Sequence, residues 1–456
     1  MLNRREFLAG AGATMATHAS PIRLPGGMTW AERPRPSPSQ LAWQQDELAL
    51  FLHFGVNTFT DREWGDGKEH PAIFAPDALD AGQWARAARA ARFRTMILTA
   101  KHHDGFCLWP TKTTTHSVAS SPFRSGDGDV VGEFVDACKA EGLKAGLYLS
   151  PWDRNTPAYG DSPRYNDMYA AQLTELLTQY GTIHEVWFDG ANGEGPNGRK
   201  QIYDWPRVWG LVRKLQPAAV IFSDAGPDVR WIGNENGVAG NTNWSTVDPA
   251  VVQFPGVSGP AVTKMLQQGD PNGSVWRPGE TDVSIRPSWF HHTAEDARVR
   301  SVDNLVSLYF SSVGRNSKLL LNVPPTRHGL LHETDVARLA GMRRRLDALF
   351  GEELARGANV TWPRTVTGEV GEVVLGRPAP VGLIELTEAI AKGQVVAKYV
   401  VEGFDGMNWR QLSRGTTIGY KKLDQFAPVT VQRVRLTVEE SLGPPVNVAL
   451  RLYSGL

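Results

Sequence analysis

At roughly 100–200 residues per domain, the 456 residues of this chain allow two to four domains, or one large barrel with an attachment. The 48 Lys and Arg side chains balance 48 Asp and Glu, which argues against nucleic acid as the main partner and against a polybasic membrane anchor, because both require excess positive charge. Charged residues at 21% and hydrophobic residues at 41% are typical of a folded globular protein.

The N-terminus resembles a twin-arginine export signal. The string RREFL at residues 4–8 precedes a run of small and apolar residues, and Thr-His-Ala at 17–19 suits a cleavage site. We therefore expect residues 1–19 to be a signal peptide and the mature protein to be periplasmic or secreted; the alternative is a frayed amphipathic start. The rest of the sequence has no apolar run near the roughly 20 residues of a spanning helix, so no membrane insertion is expected.

From about residue 48, apolar runs alternate with helical patterns. Strands are predicted at Leu48–Gly55, Thr95–Ala100, Lys144–Ser150, Ile183–Phe188, Ala219–Ser223 and Lys318–Val323. Helices are predicted at Ala81–Ala91, Asp129–Glu141, Tyr165–Tyr180, Ile202–Leu215, Asp296–Val313 and Thr334–Phe350. Near-continuous apolar strands separated by helices indicate a parallel sheet, and this number of units favours a (β/α)8-like TIM barrel. A dinucleotide-binding fold is disfavoured because the first strand is not followed by G-x-G-x-x-G.

After about residue 352, helical periodicity gives way to short alternating segments. These segments are Val366–Leu375, Gly382–Leu386, Val395–Val401, Val429–Val438 and Val446–Tyr453. The pattern predicts a β-sandwich that resembles a galactose-binding-like jelly roll. The expected domains are a barrel over 20–350 and a sandwich over 351–456. Carbohydrate binding, with Trp409 as the evident aromatic, and simple packing against the barrel are both open as the role of the sandwich.

Polar side chains follow the predicted strands, where a TIM barrel builds its active site. His53 follows the first strand, His102 and His103 follow the second, and Asp189 follows a strongly apolar strand and precedes Gly190. Carboxylates, imidazoles and indoles at one rim suit a polar ligand with one apolar face. A carboxylate at Asp189 can attack a sugar anomeric carbon if a second carboxyl group protonates the leaving oxygen. The alternative for Asp189 is a strand-end cap or an ion pair.

No metal and no cofactor are expected. His102 and His103 are adjacent, and neighbouring residues on an extended segment point to opposite sides, which makes them awkward co-ligands. The sequence has no H-E-x-x-H motif, and its two cysteines, Cys107 and Cys138, are too few for a four-Cys site. A metal-dependent barrel hydrolase that uses His53 remains the alternative.

Together these motifs resemble glycoside hydrolase family 29, the α-L-fucosidases. The matching strings are HFG at 53–55, EW at 63–64, LTAKHHDGFCLWPTKTT at 98–114 and VWFDG at 186–190, and the resemblance covers roughly residues 40–345. It implies a (β/α)8-like barrel followed by a β-sandwich, a retaining double displacement and no metal. The implied partner is a fucosylated oligosaccharide substrate.

Carried over residue by residue, the resemblance makes Asp189 the nucleophile. The residues that it implies around the sugar are His53, Glu63, Trp64, His102, His103, Trp109, Tyr148 and Trp187, with Trp289 or Phe290 over the C6 methyl group.

The resemblance leaves two candidates for the acid/base. Glu235 stands in RWIGNENG and Glu280 in WRPGETDVSIRPSWF. RWIGNE resembles the acid/base motif of the subgroup selective for α-1,3/1,4-linked fucose, so Glu235 is preferred and Glu280 is expected to bind substrate. An α-1,2 or broad specificity is the alternative, as is a sugar-binding protein on a hydrolase scaffold, although such a protein would have lost a carboxylate.

Overall fold

The structure, a computed structural model, describes residues 32–356, 369–445 and 448–455. In chain order the strands are β1 (Leu48–Leu52), β2 (Thr95–Lys101), β3 (Lys144–Leu149), β4 (Glu185–Trp187), β5 (Val220–Ser223), β6 (Val229–Trp231), β7 (Thr246–Val247), β8 (Val275–Trp276), β9 (Gly279–Ser284), β10 (Ser317–Asn322), β11 (Glu369–Thr387), β12 (Val396–Phe404), β13 (Trp409–Gly415), β14 (Lys422–Ser441) and β15 (Ala449–Tyr453). The α-helices are α1 (Pro38–Asp46), α2 (Val56–Thr60), α3 (Ala81–Ala90), α4 (Val130–Glu141), α5 (Ser162–Gln179), α6 (Trp205–Leu215), α7 (Pro260–Gln268), α8 (Val302–Ser311) and α9 (Glu333–Phe350). Short 3-10 helices occur at Pro71–Ile73, Val118–Ser120, Phe123–Gly126, Thr293–Arg298 and Ile390–Lys392.

Eight of the strands close into a parallel barrel. Around the barrel they follow chain order from β1 to β6 and then β9 and β10, and β10 pairs back with β1. This arrangement confirms the predicted (β/α)8-like TIM barrel. It departs from a regular repeat between β5 and β9: residues 224–228 join β5 to β6 through turns and bends, and the antiparallel pair β7–β8 and α7 are inserted before β9.

The barrel strands alternate between two apolar layers. In Leu48–Leu52 of β1, every second residue from Leu48 packs outward in the core shared with the helices, whereas Ala49 and Phe51 belong to a smaller core inside the barrel. Successive side chains of a strand point to opposite faces, so the next inward position after Phe51 is His53. The same count leads from Trp187 to Asp189 at the end of β4. The alternation therefore carries polar side chains to the open end of the barrel.

A polar network fills the lower part of the barrel interior. Lys318 Nζ lies 3.2 Å from Glu185 Oε2, which also accepts a hydrogen bond from Trp43 Nε1 at 3.0 Å. Glu280 accepts from Trp187 Nε1 at 3.0 Å. Burial raises the pKa of Glu280 well above its usual range, the neighbouring Glu185 raises it further, and Lys318 opposes the shift. One cation thus faces two buried carboxyl groups, and the raised pKa of Glu280 favours its protonated form.

The C-terminal strands form one five-stranded antiparallel sheet in the order β13-β12-β14-β11-β15. An antiparallel β domain after the barrel is therefore confirmed. The predicted strands Val366–Leu375 and Gly382–Leu386 fall on the single long strand β11, where the described part shifts register against β14 between Val374 and Ala379; residues 366–368 lie outside the described residues. The division of this sheet into a two-layer sandwich stays a prediction.

Buried amides join the sheet to the barrel. Gln394 Nε2 donates to the carbonyl oxygen of Asn243 at 3.1 Å, and Gln394 Oε1 accepts from the backbone N–H of Ser245 at 2.8 Å. Thr417 Oγ1 accepts from the Asn243 backbone N–H at 2.8 Å, and Asn316 Oδ1 accepts from a backbone N–H of the sheet domain at 2.8 Å. Buried groups bonded on both sides make this contact specific.

The ring of Trp409 makes cation–π contacts with two arginine side chains. The guanidinium of Arg435 lies 4.2 Å from the ring centroid and that of Arg433 lies 5.2 Å away. Each arginine also bonds a carboxylate, Glu402 and Glu372 respectively. A sugar stacking on this indole would have to displace such cation–π contacts, which favours the packing role for the sheet over carbohydrate binding at Trp409.

The single helix predicted at Asp296–Val313 is wrong. The segment divides into a 3-10 helix and α8, with three residues between them. The backbone N–H of Arg300 donates to the Ile285 carbonyl at 2.9 Å, a tertiary bond that a continuous helix would not allow. Ser301 then caps α8, its Oγ accepting from the Asn304 N–H at 3.2 Å.

Other predictions concern the chain as a whole. The predicted signal peptide at 1–19 lies outside the described residues, and the domain boundaries at 20–350 and 351–456 stay predictions. Within the described ranges, no helix is both long enough and apolar enough to cross a membrane. Cys107 and Cys138 are both buried and form no disulfide with each other.

Replacing Lys318 with Met should destabilise the barrel strongly, because it leaves Glu185 buried without its cation. Breaking a buried ion pair costs about 3–5 kcal/mol, so Tm should fall by several degrees in differential scanning calorimetry. The matched control is Lys398→Met, which removes a partner of Glu440 from an exposed pair with the same 3.2 Å separation. Exposed pairs contribute about 1 kcal/mol or less, so equal Tm shifts in the two variants would contradict the interpretation.

Candidate active site

A cavity of about 200 Å³ opens at the carboxyl end of the barrel strands. Pockets for drug-sized ligands span roughly 300–1,000 Å³, so this cavity suits one compact ring. The lining residues are Phe51, His53, Glu63, Trp64, His102, His103, Tyr148, Trp187, Asp189, Ala191, Glu235, Asp282 and Trp289. All of the predicted site residues except Trp109, Glu280 and Phe290 are among them.

Trp109 and Glu280 lie elsewhere. The Trp109 indole is buried in the layer between barrel and helices, and its Nε1 donates to Glu175 Oε2 on α5 at 2.8 Å. Glu280 is on β9 itself, not at its end, and faces Lys318 in register across the β9–β10 pair. Its carboxyl group therefore lies in the polar network inside the barrel, below the cavity.

Asp189 follows β4 and presents its carboxylate to the cavity. Tyr148 Oη donates to Asp189 Oδ2 at 3.1 Å, and the Ala191 backbone N–H donates to Oδ1 at 2.6 Å. His103 Nε2 lies 3.7 Å from Oδ2. The side chain keeps 28% of its surface exposed, so these contacts orient the carboxylate while leaving it reachable by a ligand.

Glu235 lies at the rim of the same cavity, on the loop after β6. Trp289 Nε1 donates to Glu235 Oε2 at 3.4 Å. Desolvation at the cavity mouth raises the pKa of Glu235 above its usual value; the hydrogen bond from Trp289 opposes this, and the charges of Asp189 and Glu63 add to it. The two predicted catalytic carboxyl groups thus share one cavity but have different surroundings.

His53 is held as a neutral imidazole with a known tautomer. Asn322 Nδ2 donates to Ser284 Oγ and to the Trp289 carbonyl, so its Oδ1 must be the acceptor for His53 Nδ1 at 2.9 Å. His53 Nδ1 therefore carries the proton and Nε2 has a free lone pair. Burial lowers the pKa of His53 to about 3, which keeps the ring neutral.

His103 has the same tautomer for a similar reason. Ser150 Oγ donates its one proton to the Trp152 carbonyl at 2.8 Å, so it accepts from His103 Nδ1 at 2.7 Å. Burial lowers the pKa of His103, although Asp189 opposes the shift. The His102 ring lies beside it, tilted by 36°, with ring centroids 4.1 Å apart. The buried Nδ1 of His102 lies 4.0 Å from Asp104 Oδ2 and has no hydrogen-bond partner among the described residues.

The remaining residues of the string KHHDG hold the turn that presents the two imidazoles. Lys101 points outward and donates to Asp153 Oδ2 at 3.0 Å and to Gln172 Oε1 at 2.9 Å. Asp104 Oδ1 accepts from the Phe106 N–H at 2.7 Å. Gly105 has φ +82°, and a Cβ there would lie 2.4 Å from Asp153 Oδ1, so only glycine fits.

Sequence reasoning missed Asp282, which lines the cavity. Its Oδ1 accepts from Trp231 Nε1 at 2.7 Å, and burial raises its pKa well above the usual range, with Glu235 adding to the shift. The sequence did contain a signal for Asp282. Glu280 and Asp282 are two positions apart on one strand, so both point to the same side, and Asp282 lies one layer nearer the open end of the barrel.

It also missed His292, which connects two loops at the cavity rim. His292 Nε2 lies 2.9 Å from Glu63 Oε1, and Nδ1 lies 2.7 Å from Asp61 Oδ1. Glu63 also accepts from the backbone N–H groups of Trp289 at 2.8 Å and Phe290 at 3.0 Å. A single sequence carried no signal for this contact because the partners are more than 200 positions apart.

Of the two candidates for an apolar cover, Trp289 lines the cavity and Phe290 does not. Phe290 is buried behind the imidazoles, with its centroid 5.0 Å from that of His102 and 5.5 Å from that of His53. In the part of the chain that the structure describes, His, Cys, Asp and Glu side chains form no group of three or more that could hold a metal ion. The expectation of a metal-free site stays an expectation.

Comparisons with known proteins agree on one family. A sequence model described as Alpha-L-fucosidase matches residues 53–348. The chain is similar to alpha-L-fucosidase 1 of Arabidopsis thaliana, with 43% identity over 451 residues, 92% of this chain and 87% of the relative. Similar solved structures include a glycoside hydrolase 29 family member from an unknown rumen bacterium, with TM-score 0.87, 40% identity and coverage of 93% of this chain and 78% of that chain. Another is a Ruminococcus gnavus GH29 fucosidase in complex with fucose, with TM-score 0.83, 30% identity and coverage of 93% and 95%.

Proposed function

The chain belongs to the alpha-L-fucosidase family, glycoside hydrolase family 29, and from that premise we propose that it removes terminal α-1,3/1,4-linked fucose with retention of configuration. In this proposal Asp189 is the nucleophile and Glu235 is the acid/base. The observation that carries it is the pair of carboxyl groups that lines one small cavity. The activity itself, hydrolysis of α-L-fucosides, follows from the family.

The different surroundings of the two carboxyl groups support their different roles. Tyr148 Oη and the Ala191 N–H direct hydrogen bonds at Asp189, which suits a carboxylate that must attack in a defined direction. Glu235 has a raised pKa, which suits a group that must carry a proton to the leaving oxygen. Pairs of carboxyl groups with divergent environments are typical of glycosidases.

The proposed reaction has two displacements at the anomeric carbon. Asp189 forms a bond to the anomeric carbon while the bond between this carbon and the leaving oxygen breaks. Glu235 donates a proton to the leaving oxygen in the same step. Glu235 then takes a proton from water, the water oxygen bonds to the anomeric carbon, and the ester bond to Asp189 breaks. Two inversions give net retention.

The remaining cavity residues support recognition of a single fucosyl unit. The unprotonated Nε2 atom of His53 can accept a hydrogen bond from a sugar hydroxyl, and Asp282, whose pKa is raised by burial, can donate one in its protonated form. Trp289 offers an indole face for the C6 methyl group. A cavity of about 200 Å³ has room for one ring, which supports exo cleavage.

The linkage preference rests on the strings RWIGNE and DVSIRPSWF, which resemble the α-1,3/1,4 subgroup. The aromatic residues at the cavity mouth support the proposal of a branched leaving group. Trp64 is 60% exposed there and meets Trp152 edge-to-face at 6.0 Å between centroids, with Arg154 over the Trp152 ring at 5.2 Å. Exposed aromatics beside a cavity suit the apolar faces of the sugars next to fucose.

Removing either carboxylate should give distinct kinetic defects. Asp189→Ala should abolish turnover of a nitrophenyl fucoside, and azide should restore turnover with an inverted fucosyl azide as product, because azide fills the space of the lost nucleophile.

Glu235→Ala should slow hydrolysis of a fucosylated trisaccharide by about 10²–10⁴-fold and hydrolysis of an activated aryl fucoside much less, because only the poor leaving group needs a proton. Rates and NMR of the product anomer check both.

Two results would contradict this assignment. Normal hydrolysis of the trisaccharide by Glu235→Ala would remove the acid role from Glu235, with Glu280→Gln as the comparison variant. Turnover of wild-type protein with inversion would exclude the covalent intermediate. Binding of L-fucose without turnover in the wild-type protein would favour the alternative of a sugar-binding protein on a hydrolase scaffold.

The linkage proposal predicts that α-1,3- and α-1,4-fucosylated trisaccharides are cleaved faster than an α-1,2-fucosylated one. The measurement is kcat/KM for each substrate by quantifying released fucose. The aryl fucoside serves as the control because it lacks the sugars that distinguish the linkages. Faster cleavage of the α-1,2 substrate would contradict the subgroup assignment and leave a broad or α-1,2-specific fucosidase.

Export through the twin-arginine route is proposed from the string RREFL at residues 4–8. In a bacterial host with this route, activity should appear in the periplasmic or secreted fraction with residues 1–19 removed. Replacing Arg4 and Arg5 together with Lys should retain activity in the cytoplasm. Export of the double variant at the wild-type level would contradict the proposal, and N-terminal sequencing of the exported protein locates the cleavage site.

A further inference from the structure

His292 lies outside the proposed catalytic pair but connects two loops that close the fucose cavity. One loop follows α2 and contains Asp61, Glu63 and Trp64; the other follows β9 and contains Trp289 and His292 itself. The His292 ring bridges the first loop at two points, Asp61 Oδ1 at 2.7 Å and Glu63 Oε1 at 2.9 Å. Its side chain is 13% exposed, so solvent reaches only part of the bridge.

The geometry determines the protonation state of this ring. Ionised carboxylates only accept hydrogen bonds, and both ring nitrogens of His292 face carboxylate oxygens, so both nitrogens must carry protons. A neutral imidazole would direct one lone pair at a carboxylate. Burial lowers the pKa of His292, but the hydrogen bonds and charges of Glu63 and Asp61 outweigh it and raise the pKa above its usual value.

Other charged groups near this bridge have partners of their own. Arg62 pairs with Asp66 at 3.9 Å and Glu295 with Arg298 at 2.9 Å, and Arg327 donates to the Thr58 carbonyl at 3.1 Å. His291 Nε2 lies 3.2 Å from Asp296 Oδ1, but burial lowers the pKa of His291 to about 4, which favours its neutral form. The two carboxylates that contact His292 therefore dominate its protonation.

Through Glu63 the bridge reaches the cavity. Glu63 Oε1 accepts from Phe290 N–H and His292 Nε2, which uses both lone pairs of that oxygen. Oε2 accepts from Trp289 N–H, so among the described donors it keeps one lone pair for a ligand hydroxyl. The Trp289 indole in turn donates to Glu235. His292 thus contacts Glu63 directly and reaches Trp289 through Glu63; these two residues line the cavity from opposite loops.

We propose that His292 is a positioning residue whose imidazolium form joins the two loops, so that affinity for the fucosyl unit falls when the ring loses its proton. The inference rests on the proposed function, because it takes this cavity as the fucose site. His292 transfers no proton to substrate, so its loss should raise KM for all substrates alike. That signature differs from the leaving-group dependence expected for Glu235.

The test measures KM for a nitrophenyl fucoside from pH 5 to 9 in four proteins. In the wild type, KM should stay constant at acid pH and rise at a pH above the usual imidazole pKa of about 6.5. His292→Gln should show a KM about tenfold higher at neutral pH and no further rise, as expected for one lost charge-assisted hydrogen bond. His292→Arg, which keeps a permanent cation with two donor faces, should have a low KM without the alkaline rise. His328→Gln, which removes an exposed histidine paired with Asp77 at 2.8 Å, should match the wild type.

A second variant keeps the inference testable if His292→Gln does not fold. Asp61 is 61% exposed and has φ +60°, a conformation that Asn adopts readily, so Asp61→Asn should fold normally. It removes one of the two carboxylates that raise the pKa, so the rise in KM should begin at a lower pH. An unchanged position of that rise would overturn the proposal.

Binding of L-fucose by isothermal titration calorimetry separates this inference from the proposed mechanism. Affinity should fall about tenfold in His292→Gln, and this result does not depend on whether Asp189 and Glu235 have the assigned roles. Unchanged affinity and an unchanged KM profile in His292→Gln would overturn the positioning role alone. A KM increase confined to substrates with poor leaving groups would also overturn it, because it would make His292 part of proton transfer.

Discussion

In a closed parallel barrel, the side chains of each strand point in one of two directions: outward against the helices or into the barrel. The inner series of each strand therefore passes from a packed layer at the level of Phe51 and Trp187 to the open end, where His53 and Asp189 are next in line. The apolar layer inside the barrel and the polar groups at its open end therefore belong to the same inward-pointing series of side chains. The site residues owe their direction to this register rather than to their own local conformation.

The polar groups that the alternation brings inside must be compensated without solvent. Below the cavity, Lys318 contacts Glu185, and burial favours the protonated form of the neighbouring Glu280. At the cavity, His53 remains neutral and Asp282 remains protonated because burial disfavours their charged forms. The site thus exposes few full charges to its ligand, in keeping with a chain whose net charge is zero and whose family acts on a neutral sugar.

The sequence predicted most of the barrel from short-range patterns, and most of the residues that line the cavity from strand ends and family motifs. Asp189 could be found because an apolar strand ends just before it. Glu280 could not be distinguished from a strand-end residue, because the pattern did not show that β9 begins at Gly279, one position before Glu280. Trp109 lies close to His103 in the chain, yet it packs outward against α5, where Glu175 accepts a hydrogen bond from its indole. Asp282 was missed for the same reason as Glu280 was misplaced, because the sequence did not show where β9 begins.

By itself, the sequence determined the alternation of strands and helices, the antiparallel β region that follows, the family, and the residue types available at the strand ends. Only the tertiary structure decided which of those residues share a cavity and in which protonation state. The physical reason is that periodicity and motif spacing are local, whereas desolvation and hydrogen bonding depend on partners far apart in the chain. His292 illustrates this: its two carboxylate partners lie more than 200 positions away, and its charge exists because the fold brings all three together.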